Sequence, residues 1–268
     1  MTRMNDRVVL SLDGSVATVR LSRPEKLNGL DRAMFEAIVD AGKSISTNPS
    51  IRAVVLHGEG RAFCAGLDFP SFVGNPGAME ALLERETDTP ANVAQRVAWI
   101  WQELPQPVIA SIHGYAYGGG LQIALGADLR FAAPDAELSV MEIKWGIIPD
   151  MSITQTLLRL VPLDVAKELT FTGRKLSGQE AADLGLVTRV CEDPLSEALE
   201  MAHVIAEKNP HAIRAGKALY NRALGLPVPE ALALETELQL PLLGSKNQVE
   251  AVSANMAKRE PVFDDPTS

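Results

Sequence analysis

Two short stretches of this chain carry glycine to the end of an apolar run, and each could aim a backbone N–H at a negatively charged oxygen. The first is Gly114-Tyr-Ala-Tyr-Gly-Gly-Gly-Leu-Gln-Ile-Ala-Leu-Gly-Ala-Asp128, behind the apolar run Val108-Ile-Ala-Ser-Ile112. It reads as a buried strand that passes through Gly118, Gly119 and Gly120 into a helix of small residues. Glycine lets the backbone approach a ligand closely, and the first turn of a helix has N–H groups without partners. The second stretch, Arg61-Ala-Phe-Cys-Ala-Gly-Leu-Asp68, follows another apolar run, Ala53-Val-Val-Leu56. One N–H from each junction would make a converging pair, which is what a developing oxyanion needs. A tight turn with close helix packing would select the same glycines.

With Arg23-Pro-Glu-Lys-Leu-Asn28 ahead of these stretches and Thr172-Gly-Arg-Lys-Leu-Ser177 behind them, the chain resembles the crotonase (enoyl-CoA hydratase/isomerase) superfamily over about Val8 to Phe263. The resemblance implies that the N–H groups of Leu67 and Gly119 hold the thioester oxygen of an acyl-CoA. It also puts Arg23, Lys26, Leu27, Ala65, Gly66, Asp68 and Gly118 on the CoA-binding side, and it implies no cofactor beyond the CoA of the substrate. The family usually forms trimers or dimers of trimers, so self-association through the C-terminal helices is expected.

The reaction turns on three side chains. Glu142 lies just beyond a strand among Val140, Met141, Ile143 and Trp145. If it faces an apolar pocket, its pKa rises towards the range where a carboxylate exchanges protons efficiently at neutral pH. It matches the family's second hydratase glutamate and is the first candidate for general acid/base. The first hydratase glutamate falls at Gln122, which can orient a water but cannot take up a proton. Asp150 stands where hydratases usually have glycine, and with Glu142 it resembles the acidic pair of dienoyl-CoA isomerases. Those enzymes carry an aspartate where this chain has Gln122, so the match is incomplete. Asp150 could instead cap a helix beginning near Met151. Isomerisation is slightly favoured over hydration, and an acyl-CoA-binding protein without efficient catalysis is the rival from another class.

The elements that would position these groups alternate strand and helix. Val8–Leu12 and Ala17–Leu21 flank the hairpin signal Asp13-Gly14, and a helix over Asp31–Ser46 has Met34, Phe35, Ile38, Val39 and Ile45 on one face. A helix over Ala91–Leu104 precedes the Val108 run, and strands are expected at Leu129–Ala133, Ala136–Val140 and Leu186–Val190. Ser177-Gly-Gln-Glu180 has the pattern of a capping box opening a helix to Gly185. Pro70, Gly74, Pro76, Gly77 and Pro90 surround a short helical segment, Ala78–Glu86, an irregular region that in the family shapes the acyl tunnel. The order suits an α/β fold of the crotonase type, a spiral of strand-strand-helix repeats over residues 1–193. The periodicity from Pro194 onward is helical with breaks near Pro210, Pro227 and Gly244, which makes residues 194–268 a helical extension. Its apolar Leu232, Leu234, Leu238, Leu240, Leu242 and Leu243 suit an interface or an internal core.

Composition narrows the classes. At 268 residues and 46% hydrophobic, the chain can bury a proper core. A net charge of −9 argues against a general nucleic-acid surface and leaves an anionic CoA dependent on local cations, for which Arg23, Lys26, Arg61, Lys258 and Arg259 are candidates or else solvated surface charges. The opening Met-Thr-Arg-Met-Asn-Asp lacks a signal peptide's apolar stretch and no run is long enough to cross a bilayer, so a cytoplasmic protein without membrane partners is expected. Cys64 and Cys191 suggest neither a disulfide framework nor a metal site, and Cys64 is expected to pack. His57 and His113 end strands, and no serine-histidine-acid set sits at a hydrolase-like glycine elbow.

Overall fold

The computed structural model describes residues 1–73, 76–85, 87 and 89–267. Gly74 and Glu86 of the irregular region lie outside them. The chain opens with β1 (Thr2–Met4), β2 (Val8–Asp13) and β3 (Val16–Leu21), all antiparallel, with Asp13 opposite Val16 across the turn. Gly14 at φ +57° supplies the left-handed conformation that this tight turn requires. Helix α1 (Arg32–Ser46) is capped by the Asp31 carboxylate, which accepts from Met34 N–H, and it buries the apolar face expected of it. Strand β4 (Ala53–Gly58) is buried throughout. Helix α2 (Pro76–Glu80) runs on into a 3-10 turn at Ala81–Leu83, and α3 (Val93–Glu103) starts at a complete capping box between Asn92 and Gln95.

Next come β5 (Val108–Ile112), β6 (Tyr115–Tyr117), α4 (Gly119–Leu125), β7 (Leu129–Ala132) and β8 (Glu137–Ser139). Beyond the acid-bearing turn at Glu142–Trp145 lie α5 (Ile153–Thr156), α6 (Leu163–Thr172), β9 (Leu176–Ser177), α7 (Gly178–Asp183) and β10 (Arg189–Val190). The chain closes with α8 (Pro194–Ala206), α9 (Pro210–Ala223), α10 (Val228–Gln239) and α11 (Lys246–Ala257), broken where proline and glycine break the periodicity.

The strands form two sheets. The larger has the order β1-β2-β3-β4-β5-β7-β10, parallel from β3 onward, and the smaller has β6-β8-β9. One face of the larger sheet packs on α1 and α3 through a core that includes Phe35, Ile38, Leu56 and Trp101. Helix α8 covers the other face with Ala198, Ala202 and Ala206 against Val16, Val55, Ile109 and Phe131. Small residues on α8 let it lie close to the sheet, whose apolar side chains are removed from water at a gain of about 1.5–3 kcal/mol each.

Three expectations need correction. The strand expected over Leu186–Val190 pairs only at Arg189 and Val190. Helix α7 ends at Asp183 rather than Gly185, and only half of its capping box forms. Ser177 accepts from Glu180 N–H, but the Glu180 carboxylate is taken by Arg174. The smaller sheet has short strands, and two of them, β6 and β9, were not visible as strands in the sequence pattern. In the tail, Leu234 is buried while Leu232, Leu240 and Leu243 are exposed. No described helix is long and apolar enough to cross a membrane.

Candidate active site

The two glycine junctions are stitched to each other by backbone bonds. Cys64 N–H donates to Tyr115 O and Tyr117 N–H to Cys64 O, both at 3.0 Å, while Phe63 N–H reaches His113 O at 2.9 Å. Glycine is required at three points of this seam, the first being Gly114, at φ +57°, where a Cβ would stand 1.9 Å from Arg61 O. A Cβ on Gly120 would stand 2.1 Å from Cys64 O, and one on Gly66, at φ +85°, 2.6 Å from Tyr117 O. That same Gly66 Cβ would lie 3.4 Å from Gly119 N, so the two junctions meet at the residues expected to carry the donors.

The pairing around those donors leaves them free to face a ligand. Leu30 N–H donates to Gly66 O at 2.8 Å and Asp68 N–H to Leu30 O at 3.0 Å, which engages the residues on either side of Leu67 and turns its own N–H the other way. Gly118 N–H is held by Ser139 O at 2.9 Å, and the first helical bond nearby runs from Gln122 N–H to Gly118 O. Gly119 therefore falls in the first turn of α4, where N–H groups have no helical acceptor. Among the described residues neither the Leu67 nor the Gly119 N–H donates to a backbone carbonyl.

Asn28 braces the first junction, a part that sequence reasoning missed. It is fully buried at φ +56°; its amide donates to Ala62 O at 2.8 Å and its carbonyl accepts from Arg23 N–H at 2.9 Å. An asparagine in a polar turn ahead of two glycine stretches is the signal that could have found it, since asparagine tolerates the left-handed region. Arg23 is not extended towards solvent. Its guanidinium pairs with Asp68 at 2.8 Å and donates to Gly29 O at 3.0 Å, so these two candidate CoA-binding residues lock the loop that carries Leu67. Leu27, at φ +50°, accepts from Ala65 N–H at 3.0 Å, and Lys26 is exposed beside it. Cys64 packs as expected: its thiol donates to Asn28 O at 3.1 Å, and burial pushes it up to about 12, far from a nucleophilic thiolate. His57 is buried and held neutral, its pKa lowered to about 4 by burial.

The smaller sheet brings the second junction to the acid. Tyr117 lies opposite Ser139, so Gly118, one residue on, and Glu142, three residues on, come out side by side. A Cβ on Gly118 would stand 3.2 Å from Glu142 Oε1. Gln122 is buried and both ends of its amide are used: the NH2 donates to Glu142 Oε1 at 2.6 Å and the oxygen accepts from Met151 N–H at 2.8 Å. The second carboxylate oxygen, Oε2, is buried and has no partner. Burial raises the Glu142 pKa, the Gln122 bond works against that rise, and the nearby Asp150 charge adds to it.

Asp150 shares the cavity with Glu142, and burial raises its pKa also. It caps nothing: α5 begins at Ile153 behind Ser152, with no side-chain cap, and Met151 N–H is already held by Gln122. The apolar setting of Glu142 comes only in part from its neighbours in sequence. Met141 and Trp145 line the cavity, Val140 and Ile143 do not, Ile143 being 47% exposed, and Phe69, Ile147 and Met151 with residues of α1 and α3 complete the walls. Phe69 and Trp145 touch at 4.4 Å between ring centres, closing the cavity between the first junction and the acid-bearing turn. The cavity has a volume of about 560 Å³, and Leu67, Gly118, Gly119, Glu142 and Asp150 line it together. Tyr117 forms part of the wall, its hydroxyl donating to Glu137, which also pairs with Lys175.

An apolar chamber with two aimed N–H donors and two carboxylates of raised pKa can stabilise an enolate and move protons along the carbons beside it. Comparison with known proteins identifies the family. The family model described as enoyl-CoA hydratase/isomerase matches residues 11–266. The chain is 31% identical to the crotonyl-CoA hydratase of Syntrophomonas wolfei over 96% of its own length and 98% of that protein. It is 30% identical to the mitochondrial Delta(3,5)-Delta(2,4)-dienoyl-CoA isomerase of Mus musculus over 94% of its length and 80% of that protein. Its fold superimposes on the crystal structure of enoyl-CoA hydratase from Bacillus anthracis with a TM-score of 0.89 and 31% identity, covering 96% of this chain and 98% of that one.

Proposed function

This chain belongs to the enoyl-CoA hydratase/isomerase family, an enzyme family, and we propose that its member reaction is migration of a double bond in an enoyl- or dienoyl-CoA. The observation that carries this reading is Gln122, whose amide is committed at both ends to Met151 N–H and to Glu142. Adding water to a double bond calls for one group to activate the water and one to protonate carbon, and position 122 supplies no acid. Moving a double bond needs only a proton taken and a proton returned.

In the proposed reaction the thioester oxygen accepts from Leu67 and Gly119 N–H, which lowers the cost of removing a proton from the adjacent carbon. Glu142 takes that proton on Oε2, the oxygen that Gln122 leaves free. The electron pair spreads through the double bond to the oxygen as a dienolate. A proton carried by Asp150 goes to the remote carbon, the carbonyl re-forms as the double bond moves, and exchange with solvent returns both carboxyl groups to their starting forms. Protons and electrons balance within substrate and enzyme, so no cofactor is required beyond the CoA of the substrate. Glycines 66 and 118 and Ala65 line the passage as backbone, and Lys26 is the exposed cation nearest in sequence to the Arg23–Asp68 lock. The exposed Leu232, Leu240 and Leu243 support self-association through residues 194–268, which sedimentation of the purified protein would test.

The experiment is a matched assay on crotonyl-CoA, a 3-enoyl-CoA and a 3,5-dienoyl-CoA with wild type, Glu142→Gln, Asp150→Asn and Gln122→Glu. Double-bond migration that is lost in the first two variants is the expected result. Efficient water addition to crotonyl-CoA by the wild type, with Asp150→Asn unaffected, would make it a one-carboxylate hydratase instead.

A further inference from the structure

The chamber around Glu142 and Asp150 is larger and more apolar than a four-carbon acyl group requires. Its volume of about 560 Å³ falls within the roughly 300–1,000 Å³ of pockets that take drug-sized ligands, whereas a crotonyl group has four carbons and one oxygen. Part of that room goes to the thioester and the adjoining end of the CoA arm, and the rest must be filled by acyl carbons or water. Water is poorly served there. Phe35, Leu82 and Ala94 are core side chains that open onto the chamber, and Met79, Leu83, Ile147 and Ile148 continue the apolar lining.

The few polar side chains select against a second kind of ligand. Apart from the Trp145 indole, the polar side chains on the wall are the carboxylates of Glu80, Glu142 and Asp150 and the hydroxyl of Tyr117, and that hydroxyl is committed to Glu137. No lysine, arginine or histidine lines the chamber among the described residues. An acyl group ending in a second carboxylate would bring a like charge to three acids and meet no cation, an arrangement that rejects rather than binds.

Resting on the reaction proposed above, we propose that the acyl group taken by this enzyme is an uncharged, apolar chain of medium length, on the order of six to ten carbons for the room available, and that short and dicarboxylic acyl-CoAs are poor ligands. Saturated thioesters separate this selectivity from the reaction, because they bind without turning over. The test is calorimetric titration of the full-length protein with butanoyl-, hexanoyl-, octanoyl- and decanoyl-CoA, with glutaryl-CoA as the charged probe and free CoA as reference. The expected Kd falls about two- to fourfold per added methylene between four and eight carbons, and glutaryl-CoA binds no better than free CoA. A flat series, or glutaryl-CoA binding as tightly as hexanoyl-CoA, would overturn the proposal. The expected series with no turnover of any unsaturated thioester would uphold this selectivity and remove the reaction; no binding by any acyl-CoA would remove both.

Discussion

The two walls of the chamber are held by different means. The wall that carries Leu67 and Gly119 is backbone sewn to backbone, from Cys64–Tyr115 and Cys64–Tyr117 to Leu30–Gly66 and Gly118–Ser139, with Asn28 and the Arg23–Asp68 pair behind it. The wall that carries Glu142 and Asp150 is a turn at Glu142–Trp145 and an irregular run to Ser152, tied to the first wall through the side chain of Gln122. Backbone pairing depends on little more than the glycines, so the oxyanion side tolerates change poorly. The acid side is set by individual side chains and can be altered one residue at a time.

Substitutions on the two walls sharpen the contrast. Glu142→Gln has the largest expected effect, a loss of about 10³-fold in turnover, read in the double-bond migration assay. Because burial raises the Glu142 pKa, ionising it costs the folded state above the ordinary carboxylate range, and the variant should melt at a higher temperature than wild type at neutral pH. Gly66→Ala attacks the sewn wall, forcing a Cβ towards Tyr117 O at a left-handed residue. It should lower turnover about 100-fold through displacement of the oxyanion donors and lower the melting temperature as well, unlike Glu142→Gln. Equal effects of the two substitutions on stability would undo the comparison.

Gln122→Leu should cost about 10- to 150-fold, the worth of a hydrogen bond to a charged group. Its pH dependence distinguishes support from mere packing. Glu142 must be ionised to accept a proton, so the acid limb of the rate profile lies above the ordinary carboxylate pKa. Removing the Gln122 bond removes an influence that lowers that pKa, and the limb should move further up. An unmoved limb would reduce Gln122 to packing. Cys64→Ala, behind the sewn wall, should leave turnover within about threefold and cost about 1 kcal/mol of stability for the lost thiol bond.

Legibility in the sequence followed the same division. The glycine junctions, the hairpin at Asp13-Gly14, the helix that follows Asp31 and the breaks between the tail helices are local in the chain, where a turn conformation or an apolar period is written in consecutive residues. Glu142 was readable through its position beyond a strand and its family match. The smaller sheet was not, because β6 and β9 are three and two residues long, too short for an alternating pattern to register. The Gln122–Glu142 bond joins residues twenty positions apart whose meeting depends on that sheet, and the role of Asn28 depends on carbonyls more than thirty positions away. Asp150 looked like a cap because a short helix follows it, but Ser152 in the left-handed region takes the place before α5.

Helix α4 joins the two walls in one rigid piece. Its first residue, Gly119, lines the chamber and Gln122 holds Glu142, three residues later and about 4.5 Å further along the axis. The helix is thus a gauge: the distance from the backbone N–H at its head to the amide that holds Glu142 is set by helical rise, a quantity no surface loop can drift away from.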